Sequence, residues 1–108
     1  MLRRAELIDF IASGETPPEQ WTVGTEYEKH VVDAQGRPLP YDAEVGSPSI
    51  RALLQSLADH RGWEPVMEGQ HLVALRKDGA SVSLEPGGQV ELSGAPMASL
   101  SAMKRELD

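Results

Sequence analysis

Polar and apolar residues alternate along residues 81–93, which is the period of a β-strand. The polar positions of this stretch are Ser81, Ser83, Glu85, Gln89, Glu91 and Ser93. A second stretch, residues 23–32, repeats the alternation, with Glu26, Glu28 and His30 on one side. The sequence therefore predicts two strand regions, each of which presents two glutamates on a polar face.

Three other segments have apolar residues at helical spacing. They predict helices over residues 1–13, 48–61 and 97–108. Ser47 followed by Pro48 is a start signal for the middle helix, because serine caps free amide groups and proline fits the first helical turn. The apolar stripe of this helix, which is predicted to be core, consists of Ile50, Leu53, Leu54, Leu57 and Ala58.

Further strands are predicted at residues 63–67 and 71–76. The Asp78-Gly79 pair favours a tight hairpin that leads into a strand over residues 80–85. The predicted fold class is α+β. It consists of a mostly antiparallel sheet with the three helices available to cover its apolar face, while the glutamate face stays open.

Length and composition are those of one ordinary globular domain, with 108 residues, 40% hydrophobic and 25% charged. No apolar run approaches the roughly 18 residues that a membrane span needs. No secretory signal core is present either, so a cytoplasmic protein without a membrane partner is predicted. The net charge of −7 argues against nucleic acid as a partner, and the absence of cysteine excludes disulfides and thiolate metal ligands.

The four glutamates on one predicted sheet face suggest a metal site. Clustered carboxylates repel one another and take up protons unless a cation neutralises them. Oxygen ligands without cysteine or paired histidines favour Mg²⁺ or Mn²⁺ over Zn²⁺. His30 shares this face, but a lone histidine is more often a surface residue than a ligand. The Pro86-Gly87-Gly88 break could shift the alternation, so the pattern predicts the face of Glu91 better than that of Glu85.

Other catalytic signatures are missing from the sequence. It contains no GxxxxGK[ST] phosphate loop, so a nucleotide would have to be held through metal. Its three histidines are scattered, and no Ser-His-Asp triad can be argued from them.

Two motifs are more specific than alternating glutamates alone: Gly24-Thr25-Glu26-Tyr27-Glu28-Lys29, and LEPGGQVELSGAP at residues 84–96. In this order they resemble the two glutamate strands of the glutamate–cysteine ligase family of plant and proteobacterial type. The resemblance implies a carboxylate–amine ligase with a glutamine-synthetase-like catalytic sheet. It implies ATP as co-substrate and Mg²⁺ or Mn²⁺ as cofactor. The side-chain carboxylate of glutamate would become an acyl phosphate, which the cysteine amine then attacks.

The same resemblance implies roles for individual residues. The metal ligands that it implies are Glu26, Glu28, Glu85 and Glu91. Gln89 would orient a substrate or a metal-bound water. Tyr27 stands where family members often have histidine, and Val90 stands where phenylalanine is common. Both are expected to point away from the glutamates, so neither departure affects the predicted site.

The resemblance also bears on the extent of the protein. Residues 1–108 are expected to be the N-terminal part of a single catalytic domain, truncated at the C-terminus, because the helix predicted over residues 97–108 has no stop signal. The remainder of the polypeptide would supply the adenine and cysteine sites, so the chain alone is expected to be inactive. Its small-molecule partners would be glutamate, cysteine and ATP. Two alternatives are a γ-glutamyl ligase for another amine and a short, non-catalytic module that binds a metal or a nucleotide.

Overall fold

The computed structural model describes residues 1–107, with side chains to residue 106, and its fold is α+β as predicted. Within this range the helices are α1 (Arg4–Ala12), α2 (Ile50–Arg61) and α3 (Leu100–Leu107). The strands are β1 (Glu26–His30), β2 (Glu64–Glu68), β3 (His71–Lys77), β4 (Ala80–Glu85) and β5 (Gln89–Ser93). The predicted end of the last helix at residue 108 lies outside the described residues, as does the Leu107 side chain. In the described part of the chain, no helix has the length and apolar character that crossing a membrane requires.

The strands form one sheet in the order β1-β5-β4-β3-β2, and every neighbouring pair is antiparallel. Strands β2 to β5 follow one another along the chain as a meander. Strand β1 comes first in sequence, yet it joins the sheet last, at the free edge of β5. This arrangement brings the two glutamate motifs side by side.

The β3–β4 hairpin turns through the two residues predicted for it. Asp78 and Gly79 have φ angles of 49° and 85°, and both values are positive, as in a type I′ turn. Lys77 pairs with Ala80 across this turn, so the turn also places Arg76 opposite Ser81. The predicted tight hairpin is thus confirmed.

The connection between β4 and β5 preserves the alternation. Residues 86–88 form a single short turn in which Gly87 and Gly88 have φ angles of 81° and 78°, a region that favours glycine. Pairing then resumes between Glu85 and Gln89. Glu85 therefore lies on the same face as Glu91.

Helix α2 packs on the other face of the sheet, and the core lies between them. The buried apolar residues are Ile50, Leu54, Leu72, Leu75 and Val82. Leu72 and Leu75 are three residues apart, a spacing that would place them on opposite faces of a regular strand. The pairing between β2 and β3 is shifted at Val66 and Met67, and this irregularity lets both leucines enter the core.

The start of α2 differs from the prediction. The capping residue is Ser49 rather than Ser47, because the Ser49 side chain accepts the Ala52 N–H at 3.1 Å. The first two helical amides, of Ile50 and Arg51, donate to the backbone carbonyls of residues 40 and 41. The loop before the helix therefore determines where α2 begins, which the local pattern could not reveal. Gly62 ends the helix in the left-handed conformation, with φ of 69°.

Of the three helices that were available to cover the apolar face, α1 does not take part in the core. None of its residues is buried, and Phe10 and Ile11 are each 75% exposed. Helix α2 covers β2, β3 and part of β4. Beyond it, an open apolar groove of about 540 Å³ runs over the β1–β5 side, lined by residues such as Tyr27, Leu57 and Leu92.

Candidate active site on the open sheet face

Antiparallel pairing arranges the polar side chains in rows that cross the sheet, because directly opposite residues share a face. The first row is His30, Gln89 and Glu85. The second row is Glu28, Glu91 and Ser83. The third row is Glu26, Ser93 and Ser81. All the glutamates predicted from the sequence therefore lie on one face, together with Gln89 and His30.

The centre of this face is the pair formed by Glu28 and Glu91. The two residues are direct cross-strand partners, so their carboxyl groups are neighbours on this face. Hydrogen bonding with the Glu91 side chain is the main cause that raises the pKa of Glu28, and desolvation and the charge of Glu91 add to the effect. Gln89 opposes it by donating its amide N–H to Glu28 Oε2 at 2.8 Å. Two carboxyl groups placed side by side in this way are a natural place for a cation to bind.

Glu85 and Glu91 are each held by a serine on their own strand. The Ser83 hydroxyl donates to Glu85 Oε1 at 2.8 Å, and the Ser93 hydroxyl donates to Glu91 Oε1 at 2.6 Å. The charge of Glu85 also contributes to the raised pKa of Glu28. The serines that alternate with the glutamates in the sequence thus orient the carboxylates instead of merely facing solvent.

Glu26 lies one row away from the central pair, opposite Ser93, and its side chain is exposed. Among the described residues, no group of three or more His, Asp or Glu side chains is close enough to hold a metal ion. The structure therefore brings Glu28 and Glu91 together, with Glu85 near enough to act through its charge, and leaves Glu26 to one side. The metal-ligand role of these glutamates stays a prediction.

The two departures from the family motif lie on the opposite face. Tyr27 pairs with Leu92 and Val90 pairs with Lys29. Both Tyr27 and Val90 line the apolar groove beside α2. They therefore point away from the glutamates, as expected.

Arg76 is a charged residue on the glutamate face that sequence reasoning missed. It pairs with Ser81, which pairs with Ser93, so it belongs to the row of Glu26. The sequence contained the information needed to place Arg76 on this face, because a two-residue Asp78-Gly79 turn fixes the β3–β4 register. Counting back from the turn puts Arg76 opposite Ser81. The face thus has the motif glutamates on β1, β5 and β4 and a guanidinium on β3, where Arg76 also pairs with Glu64 of β2.

A comparison with protein families identifies the group to which these motifs belong. The profile of Glutamate-cysteine ligase family 2 (GCS2) matches residues 22–108. This match includes every strand of the sheet and both glutamate motifs.

Curated relatives point the same way. The chloroplastic glutamate–cysteine ligase of Brassica juncea is 45% identical over 100 residues, which cover 92% of this chain and 18% of that enzyme. The chloroplastic enzymes of Medicago truncatula and Arabidopsis thaliana are 41% and 42% identical over the same length, again with 18% of each enzyme covered. The chain therefore spans less than a fifth of the length of these relatives.

The predicted cytoplasmic location is contradicted by these relatives, which are named as chloroplastic enzymes. The prediction rested on the absence of an apolar secretory signal core. Transit peptides of organelles are amphipathic and rich in serine and arginine, so that test cannot detect them. The family assignment rests on separate evidence: the profile match covers most of the chain, and the two motif strands pair with each other. On this evidence the chain belongs to glutamate-cysteine ligase family 2.

Proposed function

We propose that this chain is part of an enzyme that joins the γ-carboxylate of glutamate to the amine of cysteine at the expense of ATP. The observation that carries the proposal is the direct pairing of β1 and β5, which sets Glu28 of the first motif opposite Glu91 of the second. The ligase names of the relatives support the reaction. The glutamine-synthetase-like architecture of the whole catalytic domain stays a prediction.

The donor atoms on the open face fit a hard divalent cation. They are carboxylate, hydroxyl and amide oxygens, which suit Mg²⁺ or Mn²⁺. Glu28 and Glu91 would hold the ion first, because they are direct cross-strand partners on this face, and Glu85 and Glu26 flank them. When bound, the metal neutralises the phosphate and carboxylate oxygens that must approach each other.

The residues of this chain would mainly orient the reacting groups. Gln89 donates to Glu28 and Ser93 donates to Glu91, so both carboxylates have a fixed direction. Arg76, across the same face, would bind an anionic part of a substrate, either a nucleotide phosphate or the α-carboxylate of glutamate. Such positioning accounts for much of the catalysis of phosphoryl transfer.

The proposed reaction has two steps. An oxygen of the glutamate γ-carboxylate attacks the terminal phosphorus of ATP, and ADP leaves. The cysteine nitrogen then attacks the acyl carbon, phosphate leaves with the carboxyl oxygen, and the nitrogen loses a proton. The first step brings two anions together, which explains why the site would need a cation.

The experiment is a turnover assay on the intact gene product. With ATP, Mg²⁺ and glutamate present, we expect ADP release that depends on cysteine, together with formation of γ-glutamylcysteine. Other amines in place of cysteine test the alternative of a different acceptor. The Glu28→Gln and Glu91→Gln variants should each lose at least about 100-fold in turnover, because each removes a carboxylate that would hold the metal ion.

The matched control is Glu68→Gln, which makes the same chemical change on edge strand β2. It should leave turnover within about twofold of the unchanged protein, since surface substitutions away from a site have small effects. Retained turnover in Glu91→Gln would sink the proposed role of the glutamate pair. Absence of cysteine-dependent turnover in the intact protein would sink the proposed reaction.

A further inference from the structure

A glutamate of the last helix reaches back to the end of the glutamate strand. Glu106 lies in α3, and its Oε1 accepts the backbone N–H of Ala95 at 2.9 Å. Ala95 follows β5 by two residues, where the chain still runs beside the segment before β1: Gly94 N–H donates to the Thr25 carbonyl at 2.7 Å. Glu106 therefore joins α3 to the β1–β5 edge.

Gly94 is the point at which these segments crowd together. A Cβ atom at residue 94 would lie 2.6 Å from Thr25 Oγ1, and it would collide with Glu106 Oε2 as well. The hydroxyl and the carboxylate oxygen therefore lie on the same side of Gly94. Glycine leaves open the space beside which these two oxygens lie.

Both oxygens are buried, and neither has a hydrogen-bond partner within the described range of the chain. A buried polar atom without a partner is costly, and a carboxylate oxygen more so than a neutral one. Threonine offers an O–H donor, and the glutamate oxygen is an acceptor that lacks one. Each group supplies what the other needs.

We propose that Thr25 and Glu106 form a lock in which the Thr25 hydroxyl and the Ala95 N–H both donate to the Glu106 carboxylate. Thr25 immediately precedes Glu26, and Gly94 immediately follows Ser93, which donates to Glu91. The lock would therefore fix the backbone on both sides of the row that holds Glu26 and Ser93. Glu106 and Thr25 are positioning residues, and this role rests on the proposed metal-dependent function of the glutamate face.

The test measures Mn²⁺ binding to the intact gene product by the electron paramagnetic resonance signal of the free ion. Thr25→Val keeps the side-chain shape but removes the hydroxyl, and Glu106→Ala removes the carboxylate. We expect each variant to weaken Mn²⁺ binding by about tenfold, as is typical when a residue that orients ligands is lost. The double variant should be no weaker than the weaker single variant, because both changes break one lock.

Thr25→Ser is the conservative control, since it retains the donor, and it should bind Mn²⁺ within about twofold of the unchanged protein. Equal binding by Thr25→Val and Thr25→Ser would overturn the proposal, and so would effects that simply multiply in the double variant. If Glu106→Ala does not fold, the comparison of Thr25→Val with Thr25→Ser decides alone.

Failure of the proposed function has a different signature. If the unchanged protein binds no Mn²⁺, the metal role of the glutamates fails, and the lock is then judged from the free energy of unfolding of the same variants. Non-additive losses for Thr25→Val and Glu106→Ala would support the lock, whereas additive losses would overturn it.

Discussion

The face of the sheet under α2 and the face that carries the glutamates are built from alternate residues of the same strands, and they differ in their surroundings. Val82 is 7% exposed and belongs to the core. Its neighbour Ser83 lies on the other face, half-buried, and donates to Glu85. The side chains on one face pack against the apolar side of α2, and those on the other face lie among carboxyl groups.

This comparison separates what stabilises the fold from what prepares the site. Burial of apolar area is the main favourable term in folding, and it is concentrated beneath α2. The glutamate face gathers carboxyl groups, and the pKa of Glu28 is raised there by hydrogen bonding with Glu91, by desolvation and by the neighbouring charges. Substitutions on the two faces should therefore have opposite consequences for stability.

The largest effect on stability is expected from Leu54→Ala, in the part of α2 that packs on the sheet. Leu54 is fully buried, so its truncation should lower the free energy of unfolding by about 2–5 kcal/mol. Urea unfolding followed by circular dichroism measures the change. Leu53→Ala, at a position that is 37% exposed, is the matched control and should have a clearly smaller effect. Equal losses at both positions would contradict the packing of α2.

A neighbouring pair on β4 compares the two faces directly. Val82→Ala removes buried methyl groups and should cost about 2 kcal/mol. Ser83→Ala removes a hydrogen bond on the open face and should change stability by no more than about 0.5 kcal/mol. Both values come from the same urea unfolding experiment. If Ser83→Ala proved as damaging as Val82→Ala, the glutamate face would be part of the structural core.

The start of α2 gives a third, smaller effect. Ser49→Ala removes the side chain that accepts the Ala52 N–H, so we expect a loss of about 1 kcal/mol in thermal or urea unfolding. Ser47→Ala is the control, since Ser47 makes no such capping contact, and it should be close to neutral. A larger loss of stability for Ser47→Ala than for Ser49→Ala would support Ser47 as the capping residue of α2, as the sequence pattern indicated.

The smallest effect is expected from charge removal on the open face, measured without divalent metal. The pKa of Glu28 is raised in the folded state. The protonated side chain therefore contributes to stability at pH values below the ordinary pKa of glutamate, and this contribution is lost as the pH rises through the raised pKa. Glu28→Gln should therefore be more stable than the unchanged protein at neutral pH, and the difference should vanish in acid.

The control for this pH dependence is Glu15→Gln, which changes the net charge of −7 by the same amount outside the sheet. Thermal unfolding at several pH values compares the variants. A gain of equal size for Glu15→Gln would show that overall charge, rather than the Glu28–Glu91 pair, causes the effect.

Much of the sheet was predictable because its signals are local. The Asp78-Gly79 turn and the alternation in β4 and β5 gave their positions and their hydrogen-bonded register. The start of α2 was not predictable, because backbone carbonyls of the preceding loop satisfy its first amides. The exposed position of α1 was not predictable either, since an apolar helical pattern does not say which surface the helix meets.

By itself, the sequence determined which side chains share a face in β1, β4 and β5, because the side-chain period of a regular strand is two and follows from backbone geometry. It also determined the chemical type of the site through its glutamates and serines. Only the tertiary structure decided that β1 pairs with β5, that Glu28 meets Glu91, and that Glu106 reaches Ala95. These contacts join residues far apart in the chain. Their formation depends on the competition among all possible strand and helix packings, which no local pattern records.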